Sequence, residues 1–240
     1  MKSVIITGAN RGIGLETALA FGRAGYKVFA TMRNPQNAAA FTQKITEESL
    51  PISISAMDVD SDESVKQCID AILQQNGPVG VLVNNAGIQN WMSIPDTNFY
   101  QKSSEEITTN VLAPIHLTTL FTNLRSLKTI INVTSGLAFI PLAKVPVYCA
   151  TKAFMRSFTL SLRHMLRSTG IEVIEMIPPA LNTDLGGKGI HDGQPAVSDF
   201  VESVFQQMKA GKTELTFGTS EVRAKANNET IIEYFNKMNP

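Results

Sequence analysis

The chain is predicted to be an α/β protein of the Rossmann type, a single doubly wound domain whose seven-stranded parallel sheet carries helices on both faces. Three observations predict this. Short apolar runs rich in β-branched residues alternate with longer stretches of helical period. A glycine-rich turn joins the first such run to the first helical stretch, and no repeat or linker interrupts the alternation.

The first run, Val4 to Thr7, leads through Gly8, Gly12 and Gly14 into a helical pattern at 13 to 23. After Gly25, Lys27 to Met32 forms a second strand and 35 to 48 a second helix. Ile52 to Met57 is the third strand, and Asp58 and Ser61 are turn and cap residues for a helix at 61 to 76 that Gly77-Pro78 ends. Val79 to Val83 precedes a helical pattern at 104 to 127, and Thr129 to Val133 precedes one at 146 to 169 that stops at Gly170. Glu172 to Ile177, a helix at 197 to 210 and Thr213 to Phe217 complete the series. The one long irregular stretch, about 184 to 196, carries four glycines and Pro195, so a flexible substrate lid is expected over about 184 to 200.

Lys and Arg together number 21, matched by 21 Asp and Glu, and the 240 residues suit one domain, 1–240, with a sizeable core. Zero net charge argues against nucleic acid or an anionic membrane as partner, since both need a basic patch. Two cysteines are too few for a disulfide framework, and core-like Val4-Ile5-Ile6 follows Met1-Lys2-Ser3 with no room for a signal peptide. A cytoplasmic protein is expected. No apolar stretch approaches the roughly 18 residues that span a bilayer, and His116, His164 and His191 show no ligand spacing, so no metal is expected.

The loop Thr7-Gly8-Ala9-Asn10-Arg11-Gly12-Ile13-Gly14 lets the backbone approach a pyrophosphate, whose charge the free N–H groups and the helix dipole then meet. Its spacing, G-x-x-x-G-x-G, differs from G-x-G-x-x-G and from the P-loop. At the end of the second strand, where an acidic residue would bind the ribose hydroxyls of NAD, the sequence reads Thr31-Met32-Arg33-Asn34, with no Asp or Glu between Glu16 and Glu47. Arg33, assisted by Arg11, therefore points to NADP, with NADPH preferred over NADH.

Tyr148 and Lys152, at i and i+4 of the longest helical pattern, project from one face. Ser135 closes a strand at the edge where parallel sheets bind ligands, and Asn110 lies in an otherwise apolar helical stretch. A tyrosine acting as acid or base near pH 7 must shift from about 10 by roughly 3 pH units, about 4 kcal/mol. A neighbouring ammonium, Lys152, has the right sign to contribute. Ser135 would polarise a substrate carbonyl, and Asn110 would hold a water linking Lys152 to solvent.

These residues resemble the short-chain dehydrogenase/reductase family over nearly the whole chain: the Thr7 to Gly14 loop, Asn84-Asn85-Ala86-Gly87, Asn110, Ser135 with Tyr148 and Lys152, and a late turn from Ile177 to Thr183. The resemblance implies a catalytic set of Asn110, Ser135, Tyr148 and Lys152. It also implies cofactor contacts from Gly8, Asn10, Arg11, Gly12, Ile13 and Gly14, from Asp58 and Val59 near the adenine, and from Asn84, Ala86, Gly87 and Val111. In the late turn it implies contacts from Pro178, Leu181 and Thr183, though Pro179 stands where the family has glycine. The stretch from about Asn132 to Gly218 resembles a bacterial subgroup named for its association with D-alanylation of teichoic acids, which implies little about chemistry.

The expected function is NADP(H)-dependent interconversion of a ketone or aldehyde and an alcohol. A dinucleotide-binding sensor or interaction protein with the same fold and little turnover is the alternative, against which Tyr148 and Lys152 weigh. Ile140, Val145, Trp91 and the lid would form a mainly apolar pocket for a small apolar substrate, with Trp91 either lining it or capping the core. Cys149 reads as a buried inert thiol, and Gly186-Gly187-Lys188-Gly189 as part of the lid. Phe154, Phe158 and Leu162 beside Met155 and Leu166 leave apolar residues on more than one helix face, so a homodimer or homotetramer is expected, as the resemblance also implies.

Overall fold

The computed structural model describes residues 2–240. Strands β1 (Ser3–Ile6), β2 (Lys27–Met32), β3 (Ile52–Ala56), β4 (Val81–Asn84), β5 (Thr129–Val133), β6 (Glu172–Ile177) and β7 (Glu214–Thr216) form one sheet in the order β3-β2-β1-β4-β5-β6-β7. Every neighbouring pair is parallel. The strand order reverses between β1 and β4, which opens a crevice at their carboxyl ends.

Side-chain alternation along the strands separates two cores. Val4, Ile6, Val28 and Val83 pack on α1 (Gly12–Arg23), α2 (Ala39–Glu47) and α7 (Val197–Lys209) through Leu19, Phe41 and Phe200. Ile5, Phe29, Leu82 and Ile130 face the other way, toward α3 (Asp62–Asn76), α5 (Ala113–Thr122) and α6 (Pro146–Met165), meeting Ile69, Phe121 and Leu162. Phe29, Phe121 and Phe200 are at most 1% exposed. Burial of each contributes roughly 1.5–3 kcal/mol, and the central strands are apolar on both faces because helices cover both.

Several boundaries differ from the sequence expectation. The helix expected at 104 to 127 starts earlier, as α4 (Phe99–Ile107), and a π-helical segment, Thr108–Leu112, separates it from α5. Pro114 has no N–H to return to the preceding turn, so the regular ladder fails there. Residues 197 to 200 of the expected lid are the first turn of α7. Beyond β7, the last element expected from the sequence, α8 (Thr219–Ala224) and α9 (Asn228–Met238) follow. Asn227 starts α9 with a capping box: its side chain accepts from Glu229 and Thr230 N–H, and Thr230 Oγ1 accepts from Asn227 N–H. Asn239 then ties the C-terminus to the loop after β5, accepting from Ala143 N–H at 2.6 Å and donating to Pro141 O at 3.2 Å. No helix among the described residues is long and apolar enough to cross a membrane.

Candidate active site

A cavity of about 470 Å³ occupies the crevice. Its floor is the loop between β1 and α1, where Gly8, Asn10, Arg11, Gly12, Ile13 and Gly14 all face the space. Gly8 has φ +65°, and a Cβ there would lie 2.9 Å from Ala86 Cα; at Gly14 a Cβ would lie 2.4 Å from Gly8 O. Side chains at these two positions would push the loop off β4. No side chain caps the start of α1 and no acidic residue sits in its first turn. Its leading N–H groups are therefore free to meet an anion, and this donor set fits the pyrophosphate of a dinucleotide.

Asn85 staples this floor to the end of β4. Its Nδ2 donates to Thr7 O at 2.8 Å and Gly8 O at 3.1 Å, while its backbone N–H donates to Thr7 Oγ1 at 3.0 Å. Asn84, expected at the cofactor, points to the opposite face and does not line the cavity. It donates to Thr118 Oγ1 at 3.2 Å and Asn132 Oδ1 at 2.9 Å. The period of two carried the signal, because Leu82 and Asn84 share a face and Val83 and Asn85 share the other. Ala86 and Gly87 line the cavity as expected from the sequence.

Arg33, Asp58 and Val59 lie together at the far end of the cavity. Arg33 is not a free cation there. Its Nε is 3.4 Å from Asp58 Oδ2 and its Nη2 3.4 Å from Asp60 Oδ2, with the side chain 61% exposed. Asp60 is in turn fixed by Thr109, whose hydroxyl donates to it at 2.8 Å. Arg11 is also engaged, donating to Asp184 O at 3.1 Å. The carboxylate missing after β2 thus arrives from the β3 loop, through a contact no local spacing revealed. Val111 is buried away from the cavity, and Thr109 lines it instead.

Ser135, Tyr148 and Lys152 meet on the wall formed by β5 and α6. Tyr148 and Lys152 are each 5% exposed. Lys152 Nζ donates to Val133 O at 2.9 Å and sits 5.6 Å from the centre of the Tyr148 ring. Burial lowers the Lys152 ammonium to about 8. Burial also pushes the Tyr148 phenol well above its usual value, against a smaller downward effect of its hydrogen bond with Ser135. Lys152 is not among the groups that move this phenol, and burial favours the protonated, donor form of Tyr148.

Asn110 sits in the π-helical segment, 2% exposed, and does not line the cavity. Its Oδ1 accepts from Ile88 N–H at 2.8 Å, and its Nδ2 donates to Ile88 O at 2.8 Å and Thr151 Oγ1 at 3.1 Å. Both amide donors are used, so the side chain clamps the strand leaving Gly87. A Cβ on Gly87 would lie 3.2 Å from Asn110 Oδ1 and 3.6 Å from Lys152 Nζ.

The remaining wall comes from Trp91, Leu137, Leu142, Leu185 and, unforeseen, Arg223 and Met238 of the last two helices. Ile140 and Val145 are fully buried behind it. Trp91 both lines the cavity and packs on the small core of Val145, Tyr148 and Cys149. Pro178, Leu181 and Thr183 border the lid, with Thr183 Cγ2 close enough that a Cβ on Gly12 would lie 3.2 Å from it. Cys149 is buried, and its Sγ accepts from Leu142 N–H at 3.3 Å.

Residues 2–192 match the family described as short chain dehydrogenase. This chain belongs to the short-chain dehydrogenase family. It is 37% identical over 248 residues to an uncharacterised oxidoreductase, DltE, of Bacillus subtilis, covering 99% of this chain and 96% of that one. The likeness therefore extends well beyond the stretch from 132 to 218. A short-chain dehydrogenase of Burkholderia cenocepacia in complex with NADP superposes with a TM-score of 0.82 at 22% identity, over 98% of this chain and 99% of that chain. One of Burkholderia phymatum in complex with NAD superposes with a TM-score of 0.86 at 18% identity, over 100% and 97%. These are likenesses of fold, and this family member is an oxidoreductase that takes a nicotinamide dinucleotide.

Proposed function

We propose that this oxidoreductase interconverts a carbonyl compound and an alcohol, taking NADP(H) in preference to NAD(H), with Tyr148 as the proton-transferring group. The observation that carries the reading is the convergence of Ser135, Tyr148 and Lys152 in the same cavity as the uncapped start of α1. Gly8, Gly12 and Gly14 would hold the pyrophosphate, Asp58 and Val59 the adenine end, and Lys152 and Thr183 the nicotinamide end. When bound, the dinucleotide would supply the hydride and, once oxidised, a positive charge.

The protein's own part follows from the site. Trp91, Leu137 and Leu185 hold the substrate body and exclude water. The Ser135 hydroxyl orients the substrate oxygen toward Tyr148. Tyr148, held protonated by burial, donates its proton as the carbonyl becomes an alkoxide, and the same oxygen takes a proton back in oxidation. Lys152, tethered to Val133 O at 2.9 Å, balances the charge left on the phenolate. Asn110 positions this group by holding Ile88 and Thr151. NADP(H) preference rests on Arg33 as the cation of the far end, moderated by Asp58 and Asp60.

Apolar side chains left exposed on neighbouring helices, Ile107, Leu112, Phe154 and Met165, support assembly into a homodimer or homotetramer. Phe154 stacks on Phe158 at 6.4 Å between ring centres, extending this surface along α6. Tyr148→Phe tests the chemistry: it keeps the ring but removes the donor, so turnover on a ketone and aldehyde panel should fall at least roughly 10²-fold with NADPH affinity unchanged. Wild-type turnover in that variant would refute the assignment.

A further inference from the structure

The substrate end of the cavity carries a cation with no counter-charge. Arg223, on α8, lines the cavity and is half-buried. Its Cδ packs over Gly136, where an added Cβ would lie 3.2 Å away, and Gly136 directly follows Ser135. The guanidinium stem therefore rises beside the wall from which Ser135 and Tyr148 act.

The other arginines that face the cavity are answered by carboxylates, Arg11 by Asp184 and Arg33 by Asp58 and Asp60. Arg156 and Arg163, on α6, are answered by Glu214, and Arg156 also by buried Glu175. Among the described residues no carboxylate lies within ion-pairing distance of Arg223 and no acceptor bonds its guanidinium. Burial lowers its pKa, and the ionisable neighbour that acts on it is the Cys149 thiol, which burial keeps protonated. Asp58 and Asp184 are the acidic residues lining the cavity, and each already faces an arginine. A guanidinium presents five donors in a planar fork, and those of Arg223 are open to the cavity and free to meet a ligand.

Resting on the oxidoreductase reading above, we infer that Arg223 recognises an anion on the substrate, and that the substrate is a carbonyl or alcohol compound bearing a carboxylate. The fork matches a planar carboxylate through two N–H donors. A single guanidinium balances its single charge, whereas a phosphate dianion would call for a second cation. Lys152, the lysine of this cavity, is already bonded to Val133 O. Trp91, Leu137, Leu142 and Met238 would hold the aliphatic part between the two polar ends. This revises the sequence expectation of a small apolar substrate in a mainly apolar pocket: the walls are apolar, but one end is charged.

The test uses straight-chain keto acids of increasing length and their methyl esters, which share a carbonyl and differ in charge. Trp91 is the only tryptophan and lines the cavity, so its fluorescence in the NADP⁺-saturated protein reads binding without turnover, while NADPH oxidation is followed in parallel. Wild type should bind the best acid at least about tenfold more tightly than its ester, as a charge-assisted bidentate contact implies. Arg223→Met should erase that gap with ester and NADPH affinities unchanged, and Arg223→Lys should recover part of it. Equal binding of acid and ester by wild type, or an equal loss for both in Arg223→Met, overturns the inference. A loss of NADPH affinity instead would assign Arg223 to the cofactor and overturn it too. If the binding gap appears as described but no compound is reduced, recognition by Arg223 stands and the proposed reaction falls.

Discussion

Replacing Glu106 by glutamine probes a buried carboxyl that no motif or spacing singles out. Glu106 is fully buried in α4; one oxygen accepts from Asn90 N–H, and the other has no partner among the described residues. Burial pushes this carboxyl up from 4.5 to about 7, with hydrogen bonding from Asn90 offsetting part of the effect. Because the folded state holds the proton more tightly than the unfolded chain, stability is greatest below about pH 4.5 and is lost as pH rises through about 7. At about 1.4 kcal/mol per pH unit the loss reaches about 3 kcal/mol. Glutamine keeps the acceptor for Asn90 and cannot ionise, and the amide it introduces adds an offset that does not vary with pH. Urea unfolding of wild type and Glu106→Gln at pH 5, 6, 7 and 8 isolates the group, since all other titrations are common to both. The stability difference should swing by about 2.5 kcal/mol in favour of the variant between pH 5 and 8, since the first part of the loss lies below pH 5. Parallel curves would mean that Glu106 is ionised and solvated in the folded protein, and the reasoning from burial would be wrong.

Three further outcomes are expected. Carbonyl reduction, measured as kcat/KM, should decline above about pH 8 as Lys152 loses the charge that balances the phenolate; a profile flat to pH 9.5 counts against that role. NADPH should bind roughly tenfold more tightly than NADH, the low end of an arginine–phosphate contact because Asp58 and Asp60 compete for Arg33. Arg33→Ala should abolish the difference and Asp58→Asn enlarge it, as read by cofactor fluorescence titration. Light scattering at micromolar concentration should give a dimer or tetramer mass, reduced by Phe154→Glu, since Phe154 is 46% exposed on α6; a monomeric wild type would refute the assembly.

Local spacing was enough to determine the sheet, the glycine loop and the pairing of Tyr148 with Lys152. Strands β2, β5 and β6 fall on the expected residues because apolar runs bounded by turns admit few other conformations. Tyr148 and Lys152 share a helix face for the same local reason, and Ser61 caps α3 through its bond to Ser64 N–H at 3.3 Å. What only the tertiary structure decided are pairings between residues far apart in the chain. Arg33 meets Asp58 and Asp60 because β2 and β3 lie side by side in the sheet. Asn110, in the π-helical segment, clamps Ile88 rather than facing the cavity, a pairing across 22 positions. Arg223 reaches the cavity on α8, which the Ser220 hydroxyl ties to Ile177 O at 2.7 Å, and Met238 reaches it on α9, whose end Asn239 ties to Ala143 and Pro141 nearly a hundred positions away. Charge and burial at such points depend on which loops converge, and sequence separation carries no information about that until the sheet has brought them together.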